Sequence, residues 1–382
     1  MVRKAQKPTL IIILCFVFVL ALTACGGGGN TQTTPPPATS GGGSGSGGGG
    51  GSTPAPATTA EPEKVHYVWN LGTIASDVSI MPDMNSGAER LYVLKDLLDE
   101  YTDGQIELVI HWSSVLGPQP QVFEQCAMGE LEVFQGQPMS SNDPRFACWN
   151  IPFQFSSLEE VDAALDDGNG ELFQMAIPWF RDHNMELLSM GGGFIRGYAN
   201  KVREVVEPAD VRGIKSRVYE DALVRTFWDG LTQTQMMGLP DVYSSLQTGA
   251  IDGVEMMATQ VIINKYVEVV NYYTDINWQW VNSQMFAVSH QSWNVLSPEP
   301  QDAVRRAARE AVRVQTEKQI IYTDQAMVEL ERDYGVQVTR LTDDQRQVWK
   351  DYAVSQTDKY KEIIGAEMYD EYMAVIDRAQ GN

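Results

Sequence analysis

Apolar positions along this chain follow two alternating periods. Leu91, Leu94, Leu98 and Tyr101 recur at the spacing of one helical face, after a capping-box pattern at Ser86-Gly-Ala-Glu89 and before a stop at Gly104. The period then becomes two, with Ile106, Leu108, Ile110 and Trp112 alternating as a half-buried strand. A second box, Ser157-Leu-Glu-Glu160, opens another helix, and strand-like runs follow at 187–190, 194–198, 214–218, 234–237 and 285–289. Helical patterns mostly separate these runs. The alternation predicts an α/β protein with two parallel-type sheets, the folded part beginning near Val65.

From Pro298 to Tyr334 there is no internal glycine, and the one further proline, Pro300, falls in the first turn. Ser297 suits the N-cap, Pro298 the first helical position and Gly335 the end. A single helix over this segment would run about 55 Å, long enough to brace two domains. Two helices with a kink between them remain the other reading.

The N-terminus changes the picture. Arg3, Lys4 and Lys7 precede the apolar run Leu10 to Leu20, too short for a comfortable span, which is the layout of a secretory signal. It ends in Leu22-Thr23-Ala24-Cys25, which resembles a bacterial lipobox and implies cleavage of residues 1–24 and lipid attachment at Cys25. Residues 25–64 are Gly-, Ser-, Thr- and Pro-rich and cannot bury apolar surface. The 39 residues from Gly26 to Lys64 predict a soft tether with a reach of about 35 Å. These features place the protein outside the cytoplasm, anchored by lipid to a bacterial membrane, at the cell surface or in a periplasm.

At 382 residues, two folded units are the expectation. A net charge of -22 argues against nucleic acid and against adhesion of the folded surface to anionic lipid. His66, His111, His183 and His290 are scattered without metal-ligand spacing, so neither a metal nor a cofactor is expected. Gly191-Gly-Gly-Phe-Ile-Arg-Gly197 lacks the spacing of a phosphate loop, and no nucleophile elbow or Walker motif appears, so no enzyme activity is indicated. Within the folded part, Cys126 and Cys148 read as separately buried thiols, with a disulfide as the alternative.

What remains is recognition, carried by two arginines. Arg196 lies in a glycine-rich extended run and Arg217 sits mid-strand among apolar neighbours. A guanidinium matches a carboxylate bidentately and keeps its proton. The competing reading pairs each arginine with a local Asp or Glu.

"PADVRGIKSRV" followed by "DVYSSLQTGAIDGVE" resembles the paired signature of DctP-type solute-binding proteins of TRAP (tripartite ATP-independent periplasmic) transporters. "YTDGQIELVIHWSSVLG", "FEQCAMGELEVF", "WNIPFQFSSLEEVDAAL" and "WNVLSPEPQDAVRRAAREA" resemble the same family in the same order, covering Val65 to the C-terminus. The resemblance implies two α/β lobes with a ligand cleft between them and a long helix spanning both. Residues 65–192 with about 282–320 would form lobe 1, and 193–281 with about 321–382 lobe 2. It implies capture of a small organic acid, with delivery to ion-gradient-driven membrane subunits by what is expected to be a monomer. A sensor-kinase feeder, or less readily a secreted enzyme, is the alternative.

Carried over position by position, the resemblance places the carboxylate clamp at Arg217 and a second basic contact at Arg196. Asn70, Gln137, Met256, Asn282 and Gln284 complete the implied set. Gln137 stands where some members use an acid, and Met256 where some use Asn. Glu220, three residues beyond Arg217, is expected beside the clamp, where it would repel a second carboxylate and favour a monocarboxylate carrying hydroxyl or amino groups. Trp69, Trp149, Trp278 and Trp280 are candidates for cleft walls, with simple core as the competing reading.

Overall fold

The computed structural model describes residues 65–77 and 84–381. The signal segment, Cys25 and the tether lie outside the described residues. Eleven strands run β1 Tyr67–Gly72, β2 Ile106–His111, β3 Val133–Gln135, β4 Met185–Ser189, β5 Phe194–Asn200, β6 Lys215–Val218, β7 Gln233–Met236, β8 Gly253–Met256, β9 Tyr272–Val281, β10 Phe286–Ser289 and β11 Gln337–Arg340. They form two sheets, ordered β2-β1-β3-β10-β4 and β11-β9-β5-β8-β6-β7.

The expectation of parallel-type sheets needs correcting, because both sheets are mixed. Strand β1 is parallel to β2 and β3, whereas β10 runs antiparallel to β3 and β4. In the second sheet β5 is antiparallel to β8 and β9, while β6, β7 and β8 are mutually parallel neighbours. The reversed strands are those entered by the chain as it crosses between sheets, β5 after β4 and β10 after β9. Local alternation reports a strand's buried face, not its direction.

Helix Ser86–Tyr101 begins where expected but with a different cap. Asn85 is the N-cap, its Oδ1 accepting from Ala88 N at 3.3 Å, while the Ser86 hydroxyl is buried and donates to Gln319 Oε1 at 2.7 Å. The second box is used in part: Ser157 Oγ accepts from Glu160 N at 3.3 Å, while the Glu160 carboxylate accepts from Ser156 N at 2.7 Å. Pro298–Arg332 is one continuous helix of 35 residues, about 52 Å long. Its early alanines, Ala307, Ala308 and Ala311, pack in the core of the first sheet and its later Ala326, Met327 and Leu330 in that of the second.

The last three helices of residues 321–382 do not share one core. Trp349 of helix Asp343–Val354 does enter the core of the second sheet. Helices Thr357–Ile364 and Ala366–Ala379 instead bury Tyr360, Tyr372, Val375 and Ile376 against Trp149, Trp179 and Phe180 of the first. The Tyr372 hydroxyl also donates to Gln154 Oε1 at 2.6 Å. Their apolar faces thus bring the C-terminal chain against the helices of the first sheet.

Cys126 and Cys148 are both unpaired and buried, and burial pushes both thiols well above their ordinary range. Among the described residues no helix is long and apolar enough to cross a membrane.

Candidate functional site

Two backbone crossings join the sheets. The first, from β4 to β5, runs through Gly191, Gly192 and Gly193, whose φ angles are 138°, 56° and 84°. This is backbone that only glycine adopts at little cost. A Cβ on Gly193 would lie 2.1 Å from the Val281 carbonyl oxygen, at the start of the second crossing from β9 to β10. Gln315 of the long helix clasps this point, accepting from Gly193 N at 2.9 Å and donating to Gly193 O at 3.2 Å.

Arg196 follows directly in β5, paired in register with Gln279 of β9. The register then slips, so that Tyr198 faces Thr274. Such irregularities twist a strand and re-aim its side chains. Arg217, in β6, lies close to Arg196 around one carboxylate, that of Glu255 at the end of β8. Arg217 Nη1 donates to Glu255 Oε1 at 3.0 Å, and Tyr219 N donates to the same oxygen at 3.3 Å. Arg196 Nη1 pairs with Glu255 Oε2 and donates to the Glu255 carbonyl at 3.1 Å. Arg217 Nε donates to Met237 O at 3.0 Å, and the Arg196 guanidinium lies 4.7 Å over the Tyr219 ring.

Exposure is 4% for Arg217, 9% for Arg196 and 0% for Glu255, so two cations and one anion share a nearly dry volume. Burial lowers the Arg217 guanidinium from its ordinary range, against the attraction of Glu255 and with the repulsion of Arg196. Desolvation likewise raises the Tyr219 hydroxyl well above its usual value.

Beside this triad a polar layer converges on Asn150. Its Oδ1 accepts from Gln137 Nε2 at 2.7 Å, Tyr219 OH at 2.8 Å and Gln279 Nε2 at 2.8 Å. Gln137 Oε1 in turn accepts from Asn282 N at 2.9 Å. Among the described residues several buried atoms of the same layer have no partner: Arg196 Nε, Gln279 Oε1, Gln284 Oε1 and both side-chain polar atoms of Asn282. Buried polar groups are normally satisfied, so a concentration of orphans marks a place where a polar ligand completes the bonding. Open surface hollows lie elsewhere, one lined by Glu207, Arg212 and Tyr352. The layer itself is enclosed.

The structure brings together Arg196, Arg217, Gln137 and Asn282, with Gln284 on the adjoining crossing. Met256 follows Glu255, but its side chain packs in the apolar core of the second sheet. Asn70 is committed elsewhere: its Nδ2 donates to Glu132 Oε2 at 3.1 Å and its Oδ1 meets His111 Nε2 at 2.9 Å. Glu220 is exposed, and the acid that pairs with Arg217 is Glu255. The next residue, Asp221, turns inward to cap helix Ala222–Asp229, which leaves Glu220 facing solvent. Trp69, Trp149, Trp278 and Trp280 all belong to apolar cores. Sequence reasoning missed Glu255, Asn150, Tyr219 and Gln279 as members of the layer. Glu255 ends the quoted "DGVE" block, an acid closing an apolar strand, which is the signal that could have found it. Among the described residues no cluster of potential metal ligands occurs.

A two-lobed α/β protein enclosing a cation-rich polar layer at its crossings has the architecture of a solute-capture protein. Residues 79–363 match the model of the bacterial extracellular solute-binding proteins, family 7 (DctP), and the chain belongs to that family. A solute-binding protein of Chromohalobacter salexigens is 30% identical over 249 residues, spanning 64% of this chain and 72% of the relative. The C4-dicarboxylate-binding periplasmic protein DctP of Vibrio cholerae is 25% identical, spanning 74% of this chain and 84% of the relative. Among solved structures, a TRAP periplasmic solute-binding protein of Chromohalobacter salexigens with bound D-glucuronate superposes with a TM-score of 0.72 at 24% identity, over 82% of this chain and 99% of that one. The protein is thus an extracellular solute-binding protein of this family, which is a binding family rather than an enzyme family.

Proposed function

We propose that the protein closes its two lobes around a small organic acid, that Arg217 and Arg196 receive the acid's carboxylate, and that the loaded receptor passes its cargo to TRAP membrane subunits as a monomer. The observation that carries this reading is the enclosed layer in which two guanidiniums share one carboxylate and neighbouring amides lack partners. The Arg196–Arg217–Glu255 group keeps one net positive charge, which a single ligand carboxylate neutralises. Relatives are named for a C4-dicarboxylate and solved with a glucuronate, and a carboxylate is what these ligands share. Glu255 takes the part of the local acid, bridging the two arginines and offsetting their mutual repulsion. Closure follows from the ligand's extra contacts in the closed state.

A thermal-shift screen of organic acids tests this directly. A ligand at 100 times its dissociation constant should stabilise the fold by about 2.7 kcal/mol. If no acid in a broad screen raises the melting temperature, the reading fails. The anchor is part of the same proposal: Cys25→Ser should release folded protein from the membrane fraction, read by fractionation with mass measurement of the mature N-terminus. A serine variant that stays membrane-bound would show that residues 10–24 are retained as a span.

A further inference from the structure

The buried face of the long helix changes character at its middle. Ala307, Ala308 and Ala311 lie in the core of the first sheet, and Ala326, Met327 and Leu330 in that of the second. Between them Gln315, Thr316 and Gln319 are buried and polar. A buried amide adds little stability over an apolar side chain of the same shape. What it specifies, when fully bonded, is one geometry.

The geometry fixed by Gln315 is that of the first crossing. Its Oε1 accepts from Gly193 N at 2.9 Å, and its Nε2 donates to Gly193 O at 3.2 Å and to Ser86 Oγ at 3.1 Å. A Cβ on Gly192 would strike the Gln315 Oε1, so the helix approaches this closely only because the residue is glycine. The Gly192 carbonyl accepts from Trp280 Nε1 at 2.9 Å, and Phe194 pairs with Val281 across β5 and β9. Holding Gly193 therefore holds both crossings where they meet the second sheet. The second crossing is gripped less fully. Asn282 N donates to Gln137, and the Ser283 carbonyl accepts from Gln135 Nε2 at 2.8 Å and from the buried Arg90 at 3.5 Å. Among the described residues of the two crossings, only Gly193 is held by one side chain at both its N–H and its carbonyl. Gly191 and Gly192, next to it, carry no side chain to resist a change of φ.

We propose that Gln315 is the positioning residue of the hinge. The lobes turn about Gly193, and the Gln315 amide fixes that peptide to the long helix, so that Arg196 and Arg217 of the second sheet meet Gln137 and Asn150 in one register. This rests on the receptor reading above, in which closure is what captures the acid.

The test measures the lobes directly and uses no ligand. Spin labels on p-acetylphenylalanine at the exposed positions of Lys95 and Gln247, one on each side of the crossings, report the distance between lobes by double electron–electron resonance. The natural protein should give narrow maxima. Gln315→Leu, which leaves both polar groups of Gly193 unbonded, should broaden them about twofold or more. Gln319→Leu removes an equally buried amide that bonds Ser86 and Thr323 but not the crossing, and should leave the width unchanged. Gln315→Glu keeps an acceptor for Gly193 N and, when ionised, loses the donor to its carbonyl. It should fall between the natural protein and the leucine variant, and it decides the matter if that variant does not fold. Natural widths in Gln315→Leu, or in Gln315→Glu where the leucine variant is unfolded, overturn the assignment, as does equal broadening in Gln319→Leu. Each of these leaves the receptor reading standing. The acid screen is a separate measurement, and its failure overturns the receptor reading whatever the lobes do.

Discussion

Arg217 and Arg90 are equally deep in the protein and differently provided for. Arg217 has Glu255, the Met237 carbonyl and a neighbouring arginine that shares the same carboxylate. Arg90 has an aromatic face and one long bond to a carbonyl. A guanidinium with a built-in counter-ion is stable while the cleft is empty, and ligand must compete for it. One without a counter-ion carries an unrelieved cost of burial. The contrast lies in the counter-ion: Glu255 binds Arg217 and Arg196 together, and among the described residues no carboxylate pairs with Arg90.

The largest effect expected from breaking this contrast is at Glu255. Glu255→Gln strands two buried cations against each other and should lower unfolding free energy by about 3–5 kcal/mol, measured by denaturant titration. An unchanged midpoint would mean that the triad is solvated in solution. Smaller and opposite in kind is Asn282→Ala. Both of its side-chain polar atoms lack partners, so the unliganded fold should tolerate the change. Ligand affinity should fall by about 1–3 kcal/mol in calorimetry, the worth of bonds that only ligand completes.

A further effect concerns Arg90 without ligand. Burial pulls its guanidinium from its ordinary range down to about 9. A base with a depressed folded pKa is charged in both states below that value, so its cost is fully present at neutral pH. That cost is relieved as pH rises from about 9 towards the unfolded value, because the unfolded chain then binds more protons. Arg90→Met should therefore melt higher than the natural protein at pH 7, with the gap constant below about pH 8 and narrowing above 9. A variant that melts lower at pH 7 would give Arg90 a structural role.

Much of this was legible in the sequence, and the gaps have physical causes. Periodicity located the strands that later hold Arg196 and Arg217, and glycine-free length located the bracing helix. Strand β9, Tyr272–Val281, is absent from the expected strands although Ile276, Trp278 and Trp280 alternate with Asp275, Asn277 and Gln279, and Gln279 on the polar side is itself buried in the layer. Glu220 was read as the clamp's acid because it is near in sequence. Glu255 holds the place instead because β6 and β8 are neighbours in the sheet. Arg90 was hidden in plain view, four residues after Ser86 and four before Leu94, interrupting an otherwise buried helical stripe. A charge on an apolar stripe is the sequence signal of a buried cation, and it asks what the cation faces.

The central claim, that this receptor holds its ligand through a carboxylate at Arg217, is tested most directly by titration calorimetry on three proteins with an acid found in the screen. Arg217→Ala should weaken binding by about 2–4 kcal/mol, since a buried charged partner is left unpaired. Arg217→Lys should recover only part of that, because an ammonium lacks the planar fork. Natural-protein affinity in the alanine variant would contradict the account and make Arg217 a structural partner of Glu255 alone.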